Sequence, residues 1–363
     1  MGFLVGPQGG DDARSSRFVK ARLRFAAAFA AAALAMLGAL GGCAVGGGLA
    51  DPSDAVREAR PPVERAVEVA EEAPAEVGAP ADAPDAGAPD ASGAEAPLAG
   101  TGDAADAAAA PELVVRFLDV GQGDAALISC DGQWLLIDGG PPKASSTLYA
   151  ILQRLGVTRL DCIVSTHPDA DHAGGLSGAL EVATCGTFYA STATSDTRTW
   201  RGVCDRLERQ GVPLSIPAPG DSFDLGAARV TFLGPVRAAP DDNNNSLVLR
   251  IDHGGDSFLF TGDAEREEES DLLVAGANLC ADVLKVGHHG SAGASSPAFV
   301  AAVDPQVAVI SVGRNSYGHP TDEVLDRLAA QGARVLRTDQ GGDIVATTRG
   351  SGIAFEQVGM IGE

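Results

Sequence analysis

Thr166-His167-Pro168-Asp169-Ala170-Asp171-His172-Ala173-Gly174-Gly175 packs four potential metal ligands into six residues. The stretch directly follows Leu160, Cys162, Ile163 and Val164, a run that reads as a buried strand. Residues two apart on an extended segment point the same way, so His167 and Asp169 can grip one ion. Asp171 and His172 then begin a turn into a helix and can face a neighbouring ion. Two ions about 3.5–4 Å apart polarise a phosphoryl or carbonyl group and generate hydroxide from water.

Three other places repeat the pattern of an apolar strand that runs into a ligand-type residue. They are Leu135-Leu136-Ile137-Asp138-Gly139-Gly140, Phe258-Leu259-Phe260-Thr261-Gly262-Asp263 and Leu284-Lys285-Val286-Gly287-His288-His289-Gly290-Ser291. Strand ends along one edge of a sheet converge on one cleft, and strands hold ligands more rigidly than loops do. The intervening segments predict helices over 146–155, 176–182, 199–210, 265–274 and 322–330. They also predict hairpins around Asp131-Gly132 and His253-Gly254-Gly255. Two strand-rich halves with helices beside each predict an α/β fold: an αββα sandwich of two mixed sheets flanked by helices.

The first third of the 363 residues has a different composition. Residues 1–24 carry five Lys/Arg and are followed by an apolar stretch, Phe25 to Leu40, that closes on Leu40-Gly41-Gly42-Cys43. A basic segment, an apolar segment and small residues before a cut describe a secretory signal over 1–43. The closing residues resemble a bacterial lipobox, which makes Cys43 the lipidation site and the membrane a partner through a lipid anchor. An uncleaved signal anchor is the alternative, and both readings place the remainder outside the cytoplasm. Residues 44–111 hold 14 acids against three Arg and no aromatic residue, a composition expected to stay disordered and act as a spacer. Residues 112–363 are left as one domain with a net charge of about −15. Such a domain tracks a polyanion poorly, unless bound metal ions supply local positive charge. Cys185 and Cys204 are candidates for a disulfide in an oxidising compartment. His253 is expected to be exposed in its turn, Glu265–Glu269 to be a solvated helix face, and Asp119 and Asp124 to shape a turn.

The motifs together resemble the metallo-β-lactamase fold superfamily, over essentially all of 113–355. Within it the chain is most similar to the hydrolase domain of ComEC-type competence proteins. That likeness is carried by Phe117-Leu118-Asp119-Val120-Gly121-Gln122-Gly123-Asp124, by His-x-Asp-x-Asp-His, and by Leu-Lys-Val-Gly-His-His-Gly-Ser. Asn244-Asn245-Ser246-Leu247-Val248-Leu249 and Tyr317-Gly318-His319-Pro320 add to it. The resemblance implies His167 and Asp169 on a first ion, Asp171, His172 and His288 on a second, and Asp263 bridging both. Asp138 is implied behind them, orienting a ligand histidine. The sequence lacks the histidine that many superfamily members supply between the second motif and the bridging Asp; Asn244-Asn245 stands in that region. An oxygen-rich first site suits Mn²⁺ or Mg²⁺ better than an all-histidine site does, so zinc, manganese and magnesium all stay open, with one ion or two.

The expected chemistry is hydrolysis, with Asp171 and Asp263 orienting the nucleophile and His319 serving the leaving oxygen, backed by His289 and Lys285. Ser291 is a candidate phosphate contact. By analogy with the ComEC likeness the substrate is a phosphodiester, of DNA or nucleotides. Amide or ester hydrolysis (a lactam or lactone) and a non-catalytic metal-binding scaffold are the rival readings. Nothing in the sequence marks a protein partner.

Overall fold

The computed structural model describes residues 111–359, so the signal, Cys43 and nearly all of the acidic spacer lie outside the described residues. The first sheet begins with β1 (Leu113–Phe117), β2 (Ala126–Cys130), β3 (Gln133–Ile137), β4 (Arg159–Ser165), β5 (Thr184–Ala190) and β6 (Leu214–Ser215). The second holds β7 (Ser222–Leu225), β8 (Ala228–Gly234), β9 (Val248–His253), β10 (Asp256–Phe260), β11 (Val283–Lys285), β12 (Val307–Ile310) and β13 (Arg334–Arg337). The chain then returns to the first sheet with β14 (Asp343–Thr348) and β15 (Ile353–Val358). Strand order is β15-β14-β1-β2-β3-β4-β5-β6 in one sheet and β13-β12-β11-β10-β9-β8-β7 in the other. Each sheet is mixed: β3 to β6 run parallel, as do β10 to β13, and the other neighbours are antiparallel.

Alternation of side chains explains the layering. Ile128, Leu135, Ile137 and Val164 face Ile251, Phe258, Phe260 and Val309 across the space between the sheets. Their neighbours Leu127, Leu136 and Ile163 point outward, under α1 (Ser145–Arg154) and, past the short α2 (Ala170–Ala173), under α3 (Leu176–Val182) and α4 (Arg198–Gln210). Leu259, Leu284 and Ala308 point outward from the second sheet, under α5 (Arg266–Ala275), α6 (Pro297–Val303) and α7 (Asp322–Ala330); a last short helix, α8 (Thr338–Gly341), precedes β14. Strands covered on both faces need apolar residues at every position, which is why β3 and β10 read as unbroken apolar runs. This is the expected αββα sandwich of two mixed sheets. Three strands escape a hydrophobic-pattern reading: β7 has one buried residue of four, and β6 and β15 have none.

Several local expectations change. His253 is buried, 4% exposed, because its Nε2 lies 2.9 Å from the carbonyl of Pro111 where the chain enters the domain. Glu268 and Glu269 are buried rather than solvated. The Glu268 carboxylate accepts the Val236 N–H at 2.9 Å, and that of Glu269 accepts the N–H groups of Ser295 and Ser296 at the start of α6. Burial pushes the Glu268 carboxyl up to about 7. Cys185 and Cys204 are unpaired, as are the other three described cysteines. Among the described residues no helix is long and apolar enough to cross a membrane.

Candidate metal centre

Four strand ends from the two sheets meet at one edge of the sandwich. β3 runs into Asp138, β4 into Thr166-His167, β10 into Thr261-Gly262-Asp263, and β11 into the turn over 287–290. Backbone hydrogen bonds stitch the ends together: Leu247 N–H to Thr166 O at 2.9 Å, Asp138 N–H to Val164 O at 2.8 Å, and His288 N–H to Gly262 O at 3.2 Å. Gly123 lets the 119–124 loop close on this edge. Its φ of +140° suits glycine, and a Cβ there would sit 2.3 Å from the Asp171 carbonyl.

Four imidazoles turn toward the space between these ends, and the partner of each Nδ1 fixes its orientation. His172 Nδ1 lies 3.0 Å from Asp138 Oδ2, an oxygen that also accepts the Thr166 hydroxyl at 2.7 Å. His167 Nδ1 lies 3.1 Å from Thr166 Oγ1 and 3.3 Å from Ser246 Oγ. His289 Nδ1 lies 2.9 Å from the Ser311 carbonyl and 3.1 Å from Asp124 Oδ1, and His288 Nδ1 lies 2.8 Å from Glu265 Oε1. A carboxylate or carbonyl only accepts, so in the neutral rings the proton of His172, His288 and His289 sits on Nδ1 and the Nε2 lone pair faces the cleft. For His167 the same follows because the Thr166 hydroxyl is already donated to Asp138.

The carboxylates complete the cluster. Asp263 Oδ1 is 3.2 Å from His172 Nε2, while its Oδ2 is 4.0 Å from His167 Nε2, 3.7 Å from His288 Nε2 and 3.6 Å from His289 Nε2. Asp171 Oδ2 is 3.4 Å from His289 Nε2, and Asp169 Oδ2 is 3.8 Å from His167 Nε2. Nε2 of His167, His172 and His289 and Oδ1 of Asp263 are all buried with no hydrogen-bond partner. Orphaned buried acceptors aimed at one another are costly unless a cation lies between them. These residues therefore fit divalent metal ions. Asp124, His172, Asp263 and His289 also form a mutually close buried group. We place Asp124 behind the site rather than on a metal, because its oxygens face Lys285 Nζ at 2.6 Å and the Nδ1 side of His289.

The charges point the same way. Burial resists protonation of His172 and His289. Asp263 with Asp138 nonetheless holds His172 well above the usual imidazole range, and Asp263 with Asp124 pushes His289 up to about 10. Burial also resists ionisation of Asp263, but His172 and His289 hold it well below the usual carboxylate range. His167, deep in the protein and beside His172, is pushed down to about 3. The folded pocket thus calls for positive charge, as protons or as metal.

Of the residues named from sequence, His167, Asp169, Asp171, His172 and Asp263 come together here, with Asp138 behind His172. The structure brings His289 into the buried cluster. His288, expected on the second ion, lies toward the cleft on the Glu265 side. Asn244 is buried, and its amide oxygen accepts the Glu265 and Glu268 N–H groups at 3.1 and 3.3 Å, so it caps α5 instead of facing the ions. Asn245 bonds to the backbone of Ala239 and Asp241. Lys285 is spent on Asp124 and on the Val286 carbonyl, 2.7 Å away, and does not reach the cleft. Ser291 Oγ accepts the Gly293 N–H at 3.2 Å. The open cleft, about 190 Å³, is lined by Gln122, Asp169, Asp171, Asp263, His288, His289, Tyr317 and His319, along with Asn243. His319 is held there by Asn315, whose side-chain oxygen accepts the N–H groups of Tyr317, Gly318 and His319. Two contributors escaped the sequence reading, Asp124 as a buried ion-pair partner and Glu265 as the partner of His288. Asp124 ends the Gly-Gln-Gly-Asp motif and Glu265 stands two residues after Asp263, so position relative to the motifs was the available signal.

The metallo-β-lactamase superfamily model matches residues 118–314. The chain belongs to that superfamily. Members of that superfamily are generally metal-dependent hydrolases, and the buried Asp/His cluster of this chain suits divalent metal. It is 33% identical over 252 residues to ComE operon protein 3 of Bacillus subtilis, covering 63% of this chain and 32% of that protein. It is 35% identical over 234 residues to the competence protein ComA of Neisseria gonorrhoeae, covering 64% of this chain and 32% of that protein. The chain therefore spans about a third of the length of these ComEC-type relatives. Among solved structures, the metallo-β-lactamase fold protein YhfI from Bacillus subtilis aligns with a TM-score of 0.45 at 15% identity, covering 65% of this chain and 99% of that one.

Proposed function

We propose that this superfamily member is a phosphodiesterase acting on DNA or nucleotides, held outside the cytoplasm by a lipid on Cys43. The observation that carries the hydrolytic part is the convergence of four Nε2 lone pairs and three carboxylates on one open cleft. The phosphodiester part is supported by the likeness to ComEC-type relatives, one further relative being a recombination protein of Haemophilus influenzae. Zinc or manganese, with magnesium as a third option, would be held by His167, Asp169, Asp171, His172, Asp263 and the tandem histidines. When bound, such ions activate water and neutralise charge on a phosphoryl group.

The chain's own residues do the rest. Asp171 stays ionised because the neighbouring His289 and the charge on His172 outweigh its partial burial, and it accepts a hydrogen bond from the attacking water. Asp263 stays ionised as well and shares that task. Partial burial, helped by His288 and His289, holds His319 below the usual imidazole range, so at neutral pH it serves the leaving oxygen as a neutral hydrogen-bond donor.

The test is the full chain in detergent, stripped and reloaded with Mn²⁺, Zn²⁺ or Mg²⁺, assayed on bis-p-nitrophenyl phosphate and single-stranded DNA beside His167→Ala. Metal-dependent turnover that is lost in the variant supports the reading. Silence on both substrates with metal bound and a lactone or amide cleaved would replace it with ester or amide hydrolysis, and silence on everything with a scaffold. For the anchor, radiolabelled fatty acid should enter the wild type and not Cys43→Ser.

A further inference from the structure

The superfamily resemblance implies a first ion one nitrogen short, and neither Asn244 nor Asn245 faces the cleft to make up for it. We propose that His288 supplies the missing nitrogen to the first ion, oriented by Glu265, so that the tandem histidines serve one ion each. This rests on reading the cluster as a metal centre, but not on the substrate.

Consecutive residues on an extended strand point to opposite faces. His288 and His289 do not follow that rule, because their φ angles are +46° and +52°, with Gly290 at +84°. Two adjacent non-glycine residues in the left-handed region are unfavourable and persist only where the surroundings hold them. What the turn achieves is to aim both rings into the same cleft, with centroids 6.1 Å apart and planes at 72°. His289 goes deep, to Asp171, Asp263 and the neighbourhood of His172. His288 stays shallower, with its side chain 23% exposed. It meets Asp263 Oδ2, the oxygen that faces His167 Nε2 and His289 Nε2 alike, but it lies apart from Asp171, which His289 meets.

The donors on that side are then His167 Nε2, Asp169 Oδ2, Asp263 Oδ2 and His288 Nε2, with neighbouring separations of 3.8, 4.0 and 3.7 Å. Bonds of about 2.0–2.1 Å at tetrahedral angles hold ligand atoms about 3.3 Å apart, so each of these three pairs must close by about 0.4–0.7 Å on an ion. Two features show that the set is arranged for a ligand. Asp169 occupies the N-cap position of α2, yet its side chain makes no capping bond and is left for the cleft. Glu265 accepts from His288 Nδ1 at 2.8 Å, which presents the Nε2 lone pair just as Asp138 does for His172.

Metal content and titration calorimetry on the full chain read this out without reference to turnover. Wild type is expected to bind two ions and His288→Ala one, with the remaining affinity within about threefold. Glu265→Gln should weaken one of the two sites by about 10–100-fold and leave the other alone. His288→Cys loaded with Co²⁺ should show a thiolate-to-cobalt absorption band, which a residue with a merely structural role would not produce. A wild type that binds a single ion overturns the proposal. So do two undiminished sites in His288→Ala, or a His288→Cys protein without the band. Two ions lost from the right variants with no phosphodiester cleaved would leave this assignment standing and remove only the proposed substrate.

Discussion

Lys285→Met should destabilise the domain severely even though Lys285 touches no expected ligand atom of the cleft. Its ammonium is 3% exposed and lies 2.6 Å from Asp124, itself 5% exposed. Removing one partner of a buried pair strands the other, which costs about 3–5 kcal/mol. In a domain of this size each kcal/mol moves the melting temperature by about 2–4 °C, so the expected drop is about 6–20 °C. The pH dependence sharpens the test. Burial opposes ionisation of Asp124, but Lys285 and then His289 hold it down to about 2, below an ordinary Asp. A depressed folded-state value stabilises above the unfolded value near 4 and is lost as pH falls toward 2. Without the ammonium, burial acts with less opposition and the carboxyl rises, so the deficit should be larger at pH 8 than at pH 5. Asp124→Asn with Lys285→Met should cost clearly less than the sum of the single changes. Thermal unfolding of the four proteins, metal-stripped and at both pH values, is the assay. A Lys285→Met protein within about 2 °C of wild type, or a double variant whose loss is additive, would refute the argument.

Asp138→Asn should weaken metal binding by about 10–100-fold by loosening the tautomer of His172, measured by competition with a chelating dye. Loading metal at pH 8 should release at least one proton. His289, held near 10, is still protonated there and must deprotonate to ligate; calorimetry in buffers of different ionisation enthalpy counts the protons. His319→Gln should retain its metal content yet slow cleavage by about 10²–10⁴-fold, less for a nitrophenolate leaving group, which needs little help, than for an alkoxide. Phe258→Ala, truncating a fully buried ring between the sheets, should cost about 3–5 kcal/mol in chemical denaturation.

The residues that were legible in sequence are those whose environment leaves a local mark. β3, β10 and β12 announce themselves as apolar runs because both their faces are covered. β15 does not, since none of its residues is buried and its place is fixed by pairing with β14. The site divides along the same line. His167, Asp169, Asp171 and His172 share one motif, and Asp263 ends an apolar strand. The depth of His289 relative to His288 depends on two left-handed backbone angles that composition does not record. Glu265 looked like part of a solvated acidic face because its partner lies 23 residues downstream. Asp124 looked like a turn former for the same reason: Lys285 is brought to it only by the packing of one sheet on the other.

The bond between His253 and Pro111 has a consequence for orientation. Paired strands put Phe117, Ala126 and Ile137 at the cleft end of the first sheet, and Leu113, Cys130 and Gln133 at the opposite end. His253 likewise lies at the end of β9 remote from Leu249 and Phe260, where the second sheet approaches the cleft. Pro111, where the described residues begin, is therefore fastened to the floor of the domain while the cleft opens at its roof. Entry to the cleft is thereby kept at the opposite end of the sandwich from the bond that ties down Pro111.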